Sequence, residues 1–249
     1  MFPLVHYFVN KRIYASDSRL MILGGLWPDL AGGAGLDRNQ AHAMGDHFHQ
    51  WCQKNAPEAL PLALGIIGHG IQPFCVDYYA DELWQEGPKG WCFQLGKKYD
   101  QRVGAATGLG PDYSWWKAHN FVEICCEMLT DELSPGLGEE IIAALLDEST
   151  KHLAAKFLSA YYACDPRPIL HIFNKVIDIF ALKDLSALHF AEKQKISIAS
   201  RLSLPSYSCD IPAMAFLLDE MREDVRDEFA PFLDELLHLC TAPMLHYSL

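Results

Sequence analysis

The strongest constraint on the fold is periodic. Apolar residues return every three or four positions along most of the chain, no sustained apolar–polar alternation appears, and no Asn-Gly or Asp-Gly pair marks a hairpin. The expectation is an all-α protein, a multi-helix bundle. Asp37 caps a helix over residues 38–54, the Asn55-Ala56-Pro57 break opens another over 57–70, and Pro73 stands at the entrance to a third over 74–85. Ser114 is placed to cap a long helix from Trp115 to Leu133, which Ser134-Pro135-Gly136 ends. Further helices are expected over 139–163, 168–182 and 184–202, and a last one over 211–239 is interrupted near Pro231. That last helix carries an apolar stripe through Met214, Leu217, Leu218, Met221 and Val225, and its back is acidic and solvated.

Composition narrows the class. Of 249 residues, 50% are hydrophobic and 21% charged, an ordinary globular balance. The longest apolar runs, such as Leu60 to Ile67, fall far short of the ~20 residues of a spanning helix, so no transmembrane segment is expected. The first residues show no basic and apolar leader, which reads as cytoplasmic. Eight scattered cysteines form no Cys-x-x-Cys pair and are expected to be free thiols with no part in the chemistry. Residues 1–125 hold 10 Lys and Arg against 12 Asp and Glu, residues 126–249 hold 10 against 20, and the formal charge of −12 therefore sits mostly in the second half. Such a surface repels phosphate backbones, so double-stranded nucleic acid is not an expected partner. We expect one continuous domain in which residues 1–135 carry a metal site and residues 136–249 form an acidic helical region packed on it. The glycine-rich stretches Gly24 to Gly35 and Gly104 to Gly110 lack the strand-turn-helix setting of a nucleotide loop and read as irregular loops. No Gly-x-Ser-x-Gly elbow is present for a serine hydrolase.

The chemistry-bearing residues are histidines and acids. Six of the eleven histidines, at positions 6, 42, 47, 49, 69 and 119, fall in the first 123 residues, interleaved with Asp29, Asp46, Asp77 and Glu123. His119 and Glu123 are four residues apart, one helical turn, and so share a face among apolar neighbours. They offer a nitrogen and an oxygen ligand to one ion. His69 closes the apolar run from Leu62 between two glycines, which would let an ion or a backbone approach closely. His42 and His49 share a helical face that His47 does not, so at most two of the three serve one site. Asp29 follows Pro28 where an Asp commonly caps a turn, and His6 lies among Leu4, Val5, Tyr7 and Phe8. Taken singly, each of these positions is also what core packing or a helix end would produce.

Taken in order, they resemble a known family. His6, then Gly24-Gly25-Leu26-Trp27-Pro28-Asp29, then His42 followed by Gly45 and Phe48, then Gly65-Ile66-Ile67-Gly68-His69, and finally His119-x-x-x-Glu123 resemble the motifs of the zinc-dependent phospholipase C family, which is related to fungal single-strand nucleases. The resemblance covers about residues 1–130. It implies a helical bundle of that family's kind with extra C-terminal helices, binding two or three zinc ions through His6, Asp29, His42, His69, Asp77, His119 and Glu123. It implies a phosphoric ester hydrolase in which a metal-bound hydroxide attacks a phosphodiester, with Asp29 as bridging carboxylate or catalytic base, and a small phosphodiester or phospholipid headgroup as substrate. Where the family places an Asp one turn after the fourth element, this chain has Pro73, and the nearest acid is Asp77. Spacing leaves open whether the break at Pro73 brings Asp77 round. The competing expectation is a non-catalytic helical protein with a degenerate metal site that acts through protein interactions. A histidine–aspartate hydrolase would need an adjacent His-Asp pair, which the sequence lacks.

Overall fold

The computed structural model describes residues 3–247, and every regular element among them is helical. In chain order the α-helices are α1 Pro3–Tyr14, α2 Arg19–Leu30, α3 Arg38–Ala43, α4 Gly45–Asn55, α5 Leu60–His69, α6 Trp91–Gly96, α7 Asp100–Thr107, α8 Pro111–Leu133, α9 Leu137–Leu146, α10 Glu148–Tyr162, α11 Pro166–Ile179, α12 Ala187–Arg201 and α13 Ile211–Leu245. Two of them act as hubs. α2 packs against α1, α3, α5, α9 and α10, while α8 packs against α1, α6, α7 and α13. α1 touches both hubs, and one hydrophobic core runs from Leu4 to Met244. No helix among the described residues is long and apolar enough to cross a membrane.

Glycine misleads in this chain. Gly24 to Asp29 lie inside α2, not in a loop, and α2 crosses α5 at its closest point there. A Cβ on Gly24 would stand 2.1 Å from the Leu62 carbonyl oxygen, and one on Gly65 would stand 2.1 Å from that of Met21. These glycines are needed because two backbones meet, and burial of the flanking Leu23, Leu26, Leu62 and Ile66 outweighs their poor helix propensity. Gly32 to Ala34 likewise belong to a short 3-10 turn, Ala31–Ala34, closed by Gly35 at φ 78°.

Helix ends also shift. The expected helix 38–54 divides at Met44, and 139–163 divides at Asp147, whose carboxylate accepts from the N–H groups of Ser149 and Thr150. Ser114 is not a cap: α8 begins at Pro111 after Gly110, and the buried Ser114 hydroxyl is bonded to Asp100. α13 runs unbroken through Pro231, because Pro231 and Asp227, whose carbonyl loses its donor, both lie on the exposed side where water replaces the bond. α2, α6 and α7 carry no side-chain hydrogen bond at their N-caps, so no start signal announces them. The acidic back of α13 is partly paired: Lys98 reaches Glu228 at 2.5 Å, and Arg102 reaches Glu220. Exposed pairs of this kind contribute little to stability. All eight cysteines are free thiols.

Candidate metal centre

Five ends of elements converge in the interior. His6 comes from α1, Asp29 from the last turn of α2, His42 from the end of α3 and His69 from the last position of α5. Asp77 comes from the segment between Pro73 and a π-helical stretch, Tyr78–Glu82, in place of the expected α-helix over 74–85. The break at Met44 ends α3 early enough for the His42 carbonyl to receive the Ile71 N–H at 2.9 Å, which ties His42 to the loop leading to Asp77. All four of His6, His42, His69 and Asp77 are buried.

Asp77 occupies the centre. The Nε2 atoms of His6, His42 and His69 lie 3.3, 3.2 and 3.1 Å from its carboxylate oxygens, and His42 Nε2 lies 3.6 Å from Asp29 Oδ1. Ligand atoms around a tetrahedral zinc, at bonds of ~2.0–2.2 Å, are themselves ~3.3–3.6 Å apart. The Nδ1 atoms face the other way, 2.7 Å from the Arg38 carbonyl for His42 and 2.6 Å from the Gly25 carbonyl for His69. A ring that donates Nδ1–H to a backbone carbonyl turns Nε2 toward the carboxylates, and that nitrogen, once free of its proton, is the one a metal takes. His42 Nε2, His69 Nε2 and Asp77 Oδ1 are buried and find no well-directed hydrogen bond. Such atoms are costly to bury unless a proton, a water or a cation satisfies them.

The charges fit the same description. Burial, and then the neighbouring His69 ring stacked at 3.7 Å, pushes His6 down to about 4, so its ring is neutral at physiological pH. Burial also works against a charged His42, but contacts with Asp29 and Asp77 outweigh it and lift His42 to about 10. Burial would raise Asp77 and Asp29, yet the surrounding histidines hold both well below the usual carboxylate range. Arg38 anchors Asp29 at 2.8 Å.

A second group sits beside the first. Asp81, inside the π-helical stretch, joins His119 and Glu123 of α8, with one ligand atom from each lying within 4.8 Å of the others. Asn120 fixes this pair: its amide nitrogen is 2.6 Å from Glu123 Oε2 and 2.8 Å from His119 Nε2. Burial, followed by the Glu123 and Asp77 charges, pushes Asp81 well above its usual range, and burial lowers His119 to about 4. The expected ligands thus divide into two groups, one around Asp77 and one around Asp81. Asp81 is absent from the expected set, although its spacing from Asp77 repeats the four-residue spacing of His119 and Glu123. His49, by contrast, packs edge-on against Tyr247 at 5.1 Å, and His47 is exposed.

A cleft of about 310 Å³ opens onto the second group, lined by Asp81, His119 and Glu123, by Trp116 and Lys117 of α8, and by the apolar segment 179–182. Arg38 lies on its wall as well.

The chain matches no family model, no curated protein and no solved structure.

Metal uptake carries an expected pH signature. His42, and Asp81, whose carboxyl burial and neighbouring acids hold well above its usual range, must each give up a proton to become ligands, whereas His6 and His119, neutral down to about 4, release none. Zinc added to the chelator-treated protein at pH 7 should therefore release protons, and apparent affinity should rise with pH until His42 deprotonates near 10. Calorimetry in buffers of different ionisation enthalpy measures this. Uptake without proton release would leave both His42 and Asp81 outside the ligand set.

Proposed function

We propose that this chain is a metal-dependent phosphoric ester hydrolase, probed best as a zinc enzyme, with a fold and activity like those of the zinc-dependent phospholipase C family and a small phosphodiester as substrate. One observation carries the reading: three imidazole nitrogens and two carboxylates meet at ligand-to-ligand distances of 3.1–3.6 Å, beside a second His and carboxylate group that faces a cleft. Hydrogen bonds alone would not leave so many buried nitrogens and oxygens without directed partners.

Zinc, when bound, supplies positive charge for the phosphoryl oxygens and lowers the pKa of water toward ~7. The residues of the chain do the rest. Asp77 holds His6, His42 and His69 in one cluster, and the carbonyls of Arg38 and Gly25 hold two of those rings in the ligand tautomer. Asp29, kept ionised by its contacts and anchored by Arg38, orients a water as an acceptor and serves as a ligand. Asn120 presents Glu123 and His119 toward the cleft, where the ester enters.

The test is metal content with hydrolysis of bis(4-nitrophenyl) phosphate, using protein purified without chelator. Two or three equivalents of zinc and zinc-dependent turnover are expected. Glu123→Gln keeps the size of the side chain and removes its charge, so affinity for one equivalent should fall by well over the ~10–100-fold typical of losing an outer partner. His189→Gln, on α12 with its ring 3.8 Å from Glu192, should leave metal content unchanged. Zinc-free parent protein, or a Glu123→Gln variant that binds like the parent, would refute the assignment.

A further inference from the structure

The cleft contains a buried lysine that the metal groups do not use. Lys117 lies on α8, one turn before the Asn120 that positions Glu123, and only 1% of its surface is exposed. Among the described residues its Nζ donates to Asn120 Oδ1 at 3.2 Å and to no carboxylate. Asn120 stands between Lys117 and Glu123, accepting from one and donating to the other, so the lysine and the acid do not neutralise each other by contact. Arg201 shares the aromatic neighbour of Lys117. The Lys117 ammonium and the Arg201 guanidinium lie 5.2 and 5.5 Å from the centre of the Trp116 ring, and all three side chains line the cleft. Glu127 also lines it, but its carboxylate is occupied by the Leu4 N–H at 3.1 Å. Burial, and then the Arg201 charge, pushes Lys117 down to about 7, so an ammonium kept here is costly unless an anion completes its surroundings.

We propose that Lys117 and Arg201 form an anion subsite of this cleft, and that the substrate is a phosphoester bearing a second anionic group, which these two residues hold while the ester itself lies at the metal ligands. The inference rests on the hydrolase reading and deepens it. Lys117 supplies a point charge at the buried end, and Arg201, on the exposed end of α12, supplies a planar fork suited to a carboxylate or a phosphate. The same pair repels a quaternary ammonium headgroup. The subsite therefore selects by charge sign, and the apolar segment 179–182 covers the uncharged part of the ligand.

Three 4-nitrophenyl phosphodiesters test it, alike except that the second alcohol carries a carboxylate, no charge, or a quaternary ammonium. The carboxylate ester should have a KM at least about tenfold below that of the ammonium ester, as expected for one charge-assisted contact. Lys117→Met and Arg201→Gln should each abolish most of that preference while zinc content stays at the parental level. Arg201 is exposed, so its variant removes no buried packing. A flat preference, a preference for the ammonium ester, or a preference intact in both variants would overturn the subsite, whatever the zinc content. If no ester is cleaved, sulfate binding by calorimetry decides. Binding weakened about tenfold in both variants keeps the subsite although the hydrolase reading has failed, and equal binding removes both.

Discussion

Asp77→Asn should cost the protein the metal of its inner group and, with it, hydrolysis. The substitution preserves volume, so the core around it has no reason to collapse. It removes the one charge that three imidazoles share at 3.1–3.3 Å. An amide offers one weaker acceptor oxygen and turns an N–H donor toward nitrogens that must stay bare for metal. Loss of one equivalent of zinc is expected, with turnover reduced by far more than the ~10–100-fold of an outer-partner change. His42 should respond as well. With one of its two acidic partners gone, its pKa should fall from about 10, which histidine NMR of the chelator-treated variant would follow. An Asp77→Asn variant that kept full zinc content and a cooperative melt would show that Asp77 only bridges histidines by hydrogen bonds, and the metal assignment of this group would fail.

Gly65→Ala should destabilise the protein markedly for a single methyl. In an open helix the change would stabilise by ~1 kcal/mol, because alanine has the better propensity. Here the new Cβ would meet Met21 O at 2.1 Å and Gly25 N at 2.6 Å, both backbone atoms of α2. Neither can rotate away, so α2 and α5 must separate. Overpacking of this kind costs ~1–3 kcal/mol or more, which for a chain of this size corresponds to a Tm lower by roughly 2–12 °C or more. The functional consequence is specific, since His69 Nδ1 is bonded to the Gly25 carbonyl across the same contact at 2.6 Å. Zinc affinity should fall together with Tm. Gly32→Ala is the control: nothing lies within 4 Å of its Cβ, and a neutral or slightly positive change in Tm is expected. Equal melting temperatures for the two variants would show that the α2–α5 contact gives way easily.

The helical class was legible because periodicity of three to four residues is a local property, written into the order of the residues themselves. Candidate ligands were legible for a similar reason at His119 and Glu123, where four-residue spacing on one helix places two side chains together without help from the rest of the chain. Asp77 was a different case. Its distance along the chain from His69 says nothing about direction, and the turn at Pro73 followed by a π-helical stretch is a conformation that apolar periodicity does not encode. Asp81 was missed for the same reason: one stretch supplies an acid to each group, and that is visible only once its backbone path is known.

What the order of residues determined by itself is therefore the all-α class, the stripe of α13, the unpaired thiols and the candidate ligands other than Asp81. Only tertiary structure decided which of those side chains meet. It placed His49 against Tyr247 and His42 against Asp77, although both lie within the single helix expected over 38–54. It also turned a glycine-rich stretch into the tightest helix crossing of the core. The physical reason is common to both: convergence depends on long-range burial and on backbone approach, which come from the packing of whole helices, whereas spacing and propensity reach only across a turn or two.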